Sequence, residues 1–146
     1  MLKIIIDRKN YKSFINYAIE TCDYISMVFI KDDDDKTKYI LQDKYYLFSD
    51  YIISKRNIGF HPETNILLEN CDLVEIKCNN TIKYIFYNAE DILRWNGEEY
   101  PGELCFYRGT DKWFTYISHE ELSFIHNETE QDILFFEKEK IKYLFG

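Results

Sequence analysis

Cys105 and His119 are the residue types best suited to nucleophilic chemistry in this chain, because a thiol becomes reactive when an imidazole can take its proton. Their placement depends on a hairpin. Glu103 to Arg108 and Trp113 to Ser118 read as strands around the turn Gly109-Thr110-Asp111-Lys112, and a symmetric turn pairs Arg108 with Trp113, Phe106 with Thr115 and Leu104 with Ile117. In that register Cys105 and His119 point to opposite faces and no proton passes between them. A change of one residue in loop length reverses this exclusion.

Other reactive constellations fail on spacing. Ser118-His119-Glu120-Glu121-Leu122 starts like a zincin signature, but position 123, where the second His is required, is Ser. Cys22, Cys71, Cys78 and Cys105 contain no pair two to four residues apart, as structural zinc sites usually have, and read as free, mostly buried thiols. The run Asp32 to Asp35 invites calcium. Counted as an EF-hand loop, however, its third ligand position is Lys36 and its glycine position is Thr37. It reads as a solvated strand connector whose replacement by Ser leaves the fold intact.

Glu98, Glu99, Glu103, Glu120 and Glu121 supply carboxylates of the type used on glycosides, with no spacing that fixes their separation. There is no phosphate-cradling glycine loop, nucleophile elbow or dinucleotide fingerprint. The expectation is therefore no linear catalytic motif, no cofactor and no metal. What remains is a mixture of aromatic and acidic residues between Arg108 and His126. Tyr and Trp bury large areas at interfaces while losing few rotamers, and flanking carboxylates steer basic partners. The candidate partner-binding residues are Tyr107, Asp111, Tyr116, His119, Glu120 and Glu121.

The elements that must position these residues follow from periodicity. Leu2 to Ile6 reads as a short strand or as the lead into the first helix, and Tyr11 to Thr21 as a helix capped by Asn10, with Phe14, Ala18 and Cys22 at four-residue steps. Tyr24 to Ile30 is β-branched and aromatic, hence a strand, and Lys38 to Leu41 returns as another. Lys44 to Lys55 reads as helical, and Asn57 to Asn70, with Gly59 and Pro62, as a loop.

Asp72 to Tyr87 alternates well enough for a hairpin turning at Asn79 to Thr81, with Ile76 opposite Tyr84 and Val74 opposite Phe86. Asn88 then caps a short helix, Ala89 to Trp95, ended by Gly97. Thr129-Glu130-Gln131-Asp132 is a helix start, with near-helical spacing from Ile133 on to Leu144. Together these predict one α+β domain over residues 1–146, a mainly antiparallel sheet with two hairpins and two to four packed helices.

Composition narrows the function classes. The 146 residues are 46% hydrophobic and 18% aromatic, ample for one core, and carry a formal charge of -8. An acidic field repels phosphate backbones and anionic lipid, so nucleic acid and membrane surfaces are not expected as partners and a basic protein is. No apolar run approaches a membrane span and no export signal is apparent, which places the chain in the cytoplasm.

The first functional expectation is a small acidic binding protein, bacterial in character, that engages or blocks a protein partner. Immunity and antitoxin-like proteins offer an analogy of size and charge alone. An alternative is an enzyme or ligand-binding domain that gathers Cys, His and Glu from separated segments. A third is a structural or homo-oligomeric module with Tyr107 and Tyr116 across a symmetric interface; the sequence sets no oligomeric state.

Overall fold

A computed structural model describes residues 1–65 and 67–145. Among them, eight strands form one sheet in the order β3-β4-β2-β5-β6-β7-β1-β8, every neighbouring pair antiparallel. The strands are β1 (Leu2–Ile5), β2 (Tyr24–Ile30), β3 (Ile52–Phe60), β4 (Leu67–Lys77), β5 (Gly102–Arg108), β6 (Asp111–Ile117), β7 (Leu122–Ile125) and β8 (Lys142–Phe145). Four helices, α1 (Tyr11–Thr21), α2 (Gln42–Phe48), α3 (Asn80–Ala89) and α4 (Glu130–Lys138), complete an α+β fold. No helix among the described residues is long and apolar enough to cross a membrane.

All four helices send aromatic side chains to the same face of the sheet. Phe14 of α1 meets Phe114, Tyr45 of α2 meets Phe29, Phe86 of α3 meets Phe106, and Phe136 of α4 meets Tyr143. Because strand side chains alternate, Met27, Phe29, Val74, Ile76, Leu104 and Phe106 share this inner core, while Val28, Cys71 and Leu73 form a smaller cluster on the outer face. A buried chain of polar contacts ties α1 to α3. The Tyr11 hydroxyl donates to the Phe86 carbonyl at 2.6 Å and accepts from Trp95 Nε1 at 2.9 Å.

The predicted hairpin of Asp72 to Tyr87 does not form. β4 continues to Lys77, and Asn79 then caps α3, its side chain accepting from the backbone of Thr81 and Ile82. Ile82, Tyr84 and Phe86 fit a period of two, but Ile82, Phe86 and Ala89 fit a helix and are the residues buried. Tyr84, which the hairpin turned inward, is 69% exposed. α3 ends at Glu90 in a left-handed conformation, and a 3-10 turn at Ile92–Arg94, capped by Asp91, replaces the expected Ala89 to Trp95 helix.

Three further segments differ. Lys38 to Leu41 contributes a single bridge, Lys31 to Tyr39, because α2 begins directly after it. Ile52 to Lys55 belongs to β3 rather than to a helix, and β3 and β4 consume both ends of the expected Asn57 to Asn70 loop; Ile66 lies outside the described residues. The C-terminal helix stops at Lys138, Lys140 turns left-handed, and β8 follows. Asn10 precedes α1 as expected, but its side chain accepts from the Asp7 amide instead of capping the helix.

β5 and β6 pair as a hairpin whose register is tighter than the symmetric reading, by two residues beside the turn and by one beyond a bulge. Arg108 faces Asp111, Tyr107 faces Lys112, and a bulge then sets Phe106 opposite Phe114 and Cys105 opposite Thr115. The bulge lets consecutive Trp113 and Phe114 both enter the inner core.

Trp113 thereby reaches the most connected polar group of the fold. Asp132 is fully buried and receives Arg108 in a two-pronged pair at 3.0 Å on each oxygen, Trp113 Nε1 at 2.9 Å, the Tyr17 hydroxyl at 2.5 Å and the Thr129 amide at 3.0 Å. Thr129 completes the expected helix start as a capping box with Asp132. Burial alone raises a carboxyl pKa, yet these donors outweigh it and hold Asp132 below its ordinary value.

The Asp32 to Asp35 run is a tight connector. Asp32 Oδ1 accepts from the amides of Asp34 and Asp35, and Asp35 Oδ1 accepts from the Thr37 amide and hydroxyl. Ser supplies the same turn chemistry more weakly. Replacing all four aspartates with Ser should leave the circular dichroism spectrum unchanged and lower unfolding stability by no more than about 2 kcal/mol; a larger loss contradicts a purely local role.

Candidate functional site

The six residues singled out from the sequence do not share one surface. Tyr107 is 5% exposed on the outer face and stacks on Tyr24 with ring centroids 4.5 Å apart. Tyr116 is 1% exposed and belongs to the inner core, so neither ring is an exposed anchor. Asp111 is exposed at the β5–β6 turn, whereas exposed His119, Glu120 and Glu121 form the β6–β7 turn at the other end of β6. His119 Nδ1 lies 3.8 Å from Glu103 Oε1, and its Nε2 lies 3.8 Å from Glu120 Oε1.

Cys105 has an imidazole beside it, but not the one expected. The tip of the β3–β4 hairpin reaches across β2 and lays His61 over β5, with Nε2 4.0 Å from Cys105 Sγ. Glu63 on the same tip approaches Lys112 of β6 at 3.6 Å. His61 Nδ1 accepts the amides of Glu63 at 3.1 Å and Thr64 at 3.2 Å, so the ring's proton sits on Nε2. A nitrogen that already carries a proton cannot take one from the thiol. Burial also pushes the Cys105 thiol pKa well up and lowers that of His61 to about 4. This pair joins a strap to the sheet and is unsuited to nucleophilic attack.

A groove of about 480 Å³ lies between the end of β1, the Ile92–Arg94 turn and the β6–β7 turn. Two of the six residues, Tyr116 and Glu121, line it. Asp7 and Asp91 add carboxylates, Lys3 and Arg8 add cations, and Ile4, Ile92, Leu93 and Leu122 add apolar wall. Arg8 is engaged at the rim, with Nη2 3.3 Å from Glu90 Oε2 and Nε 4.0 Å from Asp91 Oδ2.

The Tyr116 hydroxyl is buried and has no hydrogen-bond partner among the described residues. Burial pushes its pKa up to about 12, with Glu121, Asp91 and Glu103 adding to the effect, so the phenol keeps its proton and remains a donor. No protein-family model, curated protein or solved structure matches the chain. The chemistry of the groove is that of a mostly apolar cleft with three carboxylates, two cations and one unpaired hydroxyl.

Asp7 and Asp91 were not among the residues expected from sequence. They come from the loop after β1 and the loop after α3, and no linear spacing connects either with Glu121. Among the described residues, no group of three or more His, Cys, Asp or Glu is arranged to hold a metal ion.

Proposed function

We propose that this chain is a small acidic binding protein that seats a Lys or Arg side chain of a basic protein partner in the groove beside Asp7, Asp91 and Glu121. The observation that carries the reading is the convergence of three carboxylates and the unpartnered Tyr116 hydroxyl on this one groove. A cationic side chain fits both parts of such a site, its alkyl stem against Ile92 and Leu122 and its head among the carboxylates. The charge of -8 draws the partner in, and Glu120 and Glu121 on the β6–β7 turn supply local steering.

The same charge disfavours nucleic acid and anionic membranes as targets, and a cytoplasmic setting suits a chain with four free thiols. Blocking of the partner, as immunity and antitoxin-like proteins do, is the form of the activity this reading favours. The test is affinity capture from the source organism in low and high salt, with wild type and Glu121→Lys as baits. Retention of one basic protein by wild type, its release by salt and at least tenfold weaker retention by the variant are the expected results. A partner retained equally by Glu121→Lys, or no salt-labile partner, overturns the proposal.

A further inference from the structure

Sharing no residue with the groove, a second pocket of about 120 Å³ lies on the sheet with Val28, Ile30 and Leu68 as apolar wall and Glu103, His119, Asn96 and Ser118 among its polar groups. Glu103 is 6% exposed, and its Oε2 accepts no hydrogen bond among the described residues. Its Oε1 is 3.8 Å from His119 Nδ1, beyond hydrogen-bond reach. A buried carboxylate with an unpartnered oxygen is costly, and burial raises the Glu103 pKa accordingly, against the opposing influence of His119 and the Ser118 contact.

The backbone that holds Glu103 there is costly as well. Its φ is 49°, a left-handed conformation that non-glycine residues rarely adopt. The conformation is fastened by Ser118, whose hydroxyl accepts the Glu103 amide at 2.8 Å and donates to the Trp95 carbonyl at 2.8 Å. Gly102 makes room for this clasp, since a Cβ there would lie 3.3 Å from Ser118 Oγ. Two unfavourable features on one residue, each supported by neighbouring structure, mark a position kept for a purpose other than packing.

We propose that this pocket binds a primary alkylammonium ion, its –NH₃⁺ on the Glu103 carboxylate and its short alkyl chain along Val28, Ile30 and Leu68. The volume is that of about four waters, which suits a head with a few carbons. An ammonium is a compact charge that can satisfy a single carboxylate. A guanidinium is matched instead by two-pronged contact along a carboxylate edge, and the Oε1 side of this one faces His119. Calcium requires six or more oxygen ligands, which this largely aliphatic wall does not provide. The ligand is either a free amine or the side chain of a lysine.

The test is a titration with n-butylammonium chloride, followed by calorimetry and by the NMR shifts of His119, with n-butanol and Nα-acetyl-lysine methylamide as parallel probes. Saturable butylammonium binding is expected, at least tenfold tighter than butanol and at least tenfold weakened by Glu103→Gln. Leu68→Trp fills the apolar end without touching the carboxylate and should weaken binding similarly, which keeps the test decisive if Glu103→Gln folds poorly. Equal binding of the lysine amide identifies a protein side chain as the source, and binding of butylammonium alone identifies a free amine. Absence of saturation through the millimolar range, equal butanol binding, or unchanged binding by Leu68→Trp or folded Glu103→Gln overturns the site. Because Glu121 takes no part here, these results are independent of the partner capture.

Discussion

Acidification from about pH 6.5 to about pH 4 should cost the folded chain up to about 3 kcal/mol through His61 alone. The imidazole is 1% exposed, and burial lowers its pKa from 6.5 to about 4, against a smaller opposing contribution from the Glu103 backbone. The unfolded chain therefore binds a proton in this window that the folded chain refuses. Stability is complete above the unfolded value and declines as pH falls, levelling off below the folded value. The local structure explains the refusal. With Nε2 already protonated, the added proton must go to Nδ1, where the amides of Glu63 and Thr64 point, and both hydrogen bonds of the strap are lost.

Urea unfolding of wild type and His61→Asn from about pH 7 to about pH 4 separates this contribution from that of the carboxylates. Asn retains a side-chain oxygen for the two amides but does not titrate. The variant should be less stable near neutrality, with the gap closing as pH falls; parallel curves contradict the assignment. His126, half-buried with its Nε2 2.9 Å from Thr115 Oγ1, titrates in the same direction in both proteins and cancels in the comparison.

The second large effect is expected at Asp132. Its replacement by Ala strands the Arg108 guanidinium, the Trp113 indole N–H and the Tyr17 hydroxyl at once, and also removes half of the α4 capping box. Losing one partner of a buried, hydrogen-bonded ion pair typically costs about 3–5 kcal/mol, a large share of the roughly 5–15 kcal/mol that stabilises an ordinary domain. Guanidinium unfolding at neutral pH should register this loss, and a change below about 1 kcal/mol rules out the network as a keystone of the fold. Since Asp132 is held below its ordinary pKa, its contribution is fully present near neutrality and fades only as pH falls through the acid range.

Legibility from sequence follows the range of the interactions. β1, α1, β2, the β5–β6 hairpin and the start of α4 rest on local pattern and capping, and all appear near their expected positions. α3 is ambiguous in the sequence because Ile82 and Phe86 satisfy both periods, and only the cap at Asn79 and the exposure of Tyr84 decide between them. Ile52 falls within the segment expected as helix, Lys44 to Lys55, but pairing with β4 draws it into β3. The register at Phe106 combines a turn two residues tighter than expected with a bulge that gives one residue back, and a bulge leaves no mark in alternation.

The sites were less legible than the elements. Tyr116 and Glu121 were named from composition and do line the groove, yet Asp7 and Asp91 reach it only through the pairing of β1 with β7 and the fold of the loop after α3. His61 reaches Cys105 because a long hairpin bends over the sheet, and Glu103 is set apart by a backbone angle and a serine clasp. None of these relations has a linear spacing.

The place of β1 in the strand order decides which contacts close the sheet. Its two neighbours are β7 and β8, so Leu2 pairs with Ile125 and Phe145 at nearly the full length of the chain. β1 touches none of the strands of the β3-β4-β2-β5 half of the sheet, whose pairings do not depend on it. Pairing of β1 therefore closes a long loop, an entropic cost that β7 on one side and β8 on the other offset together.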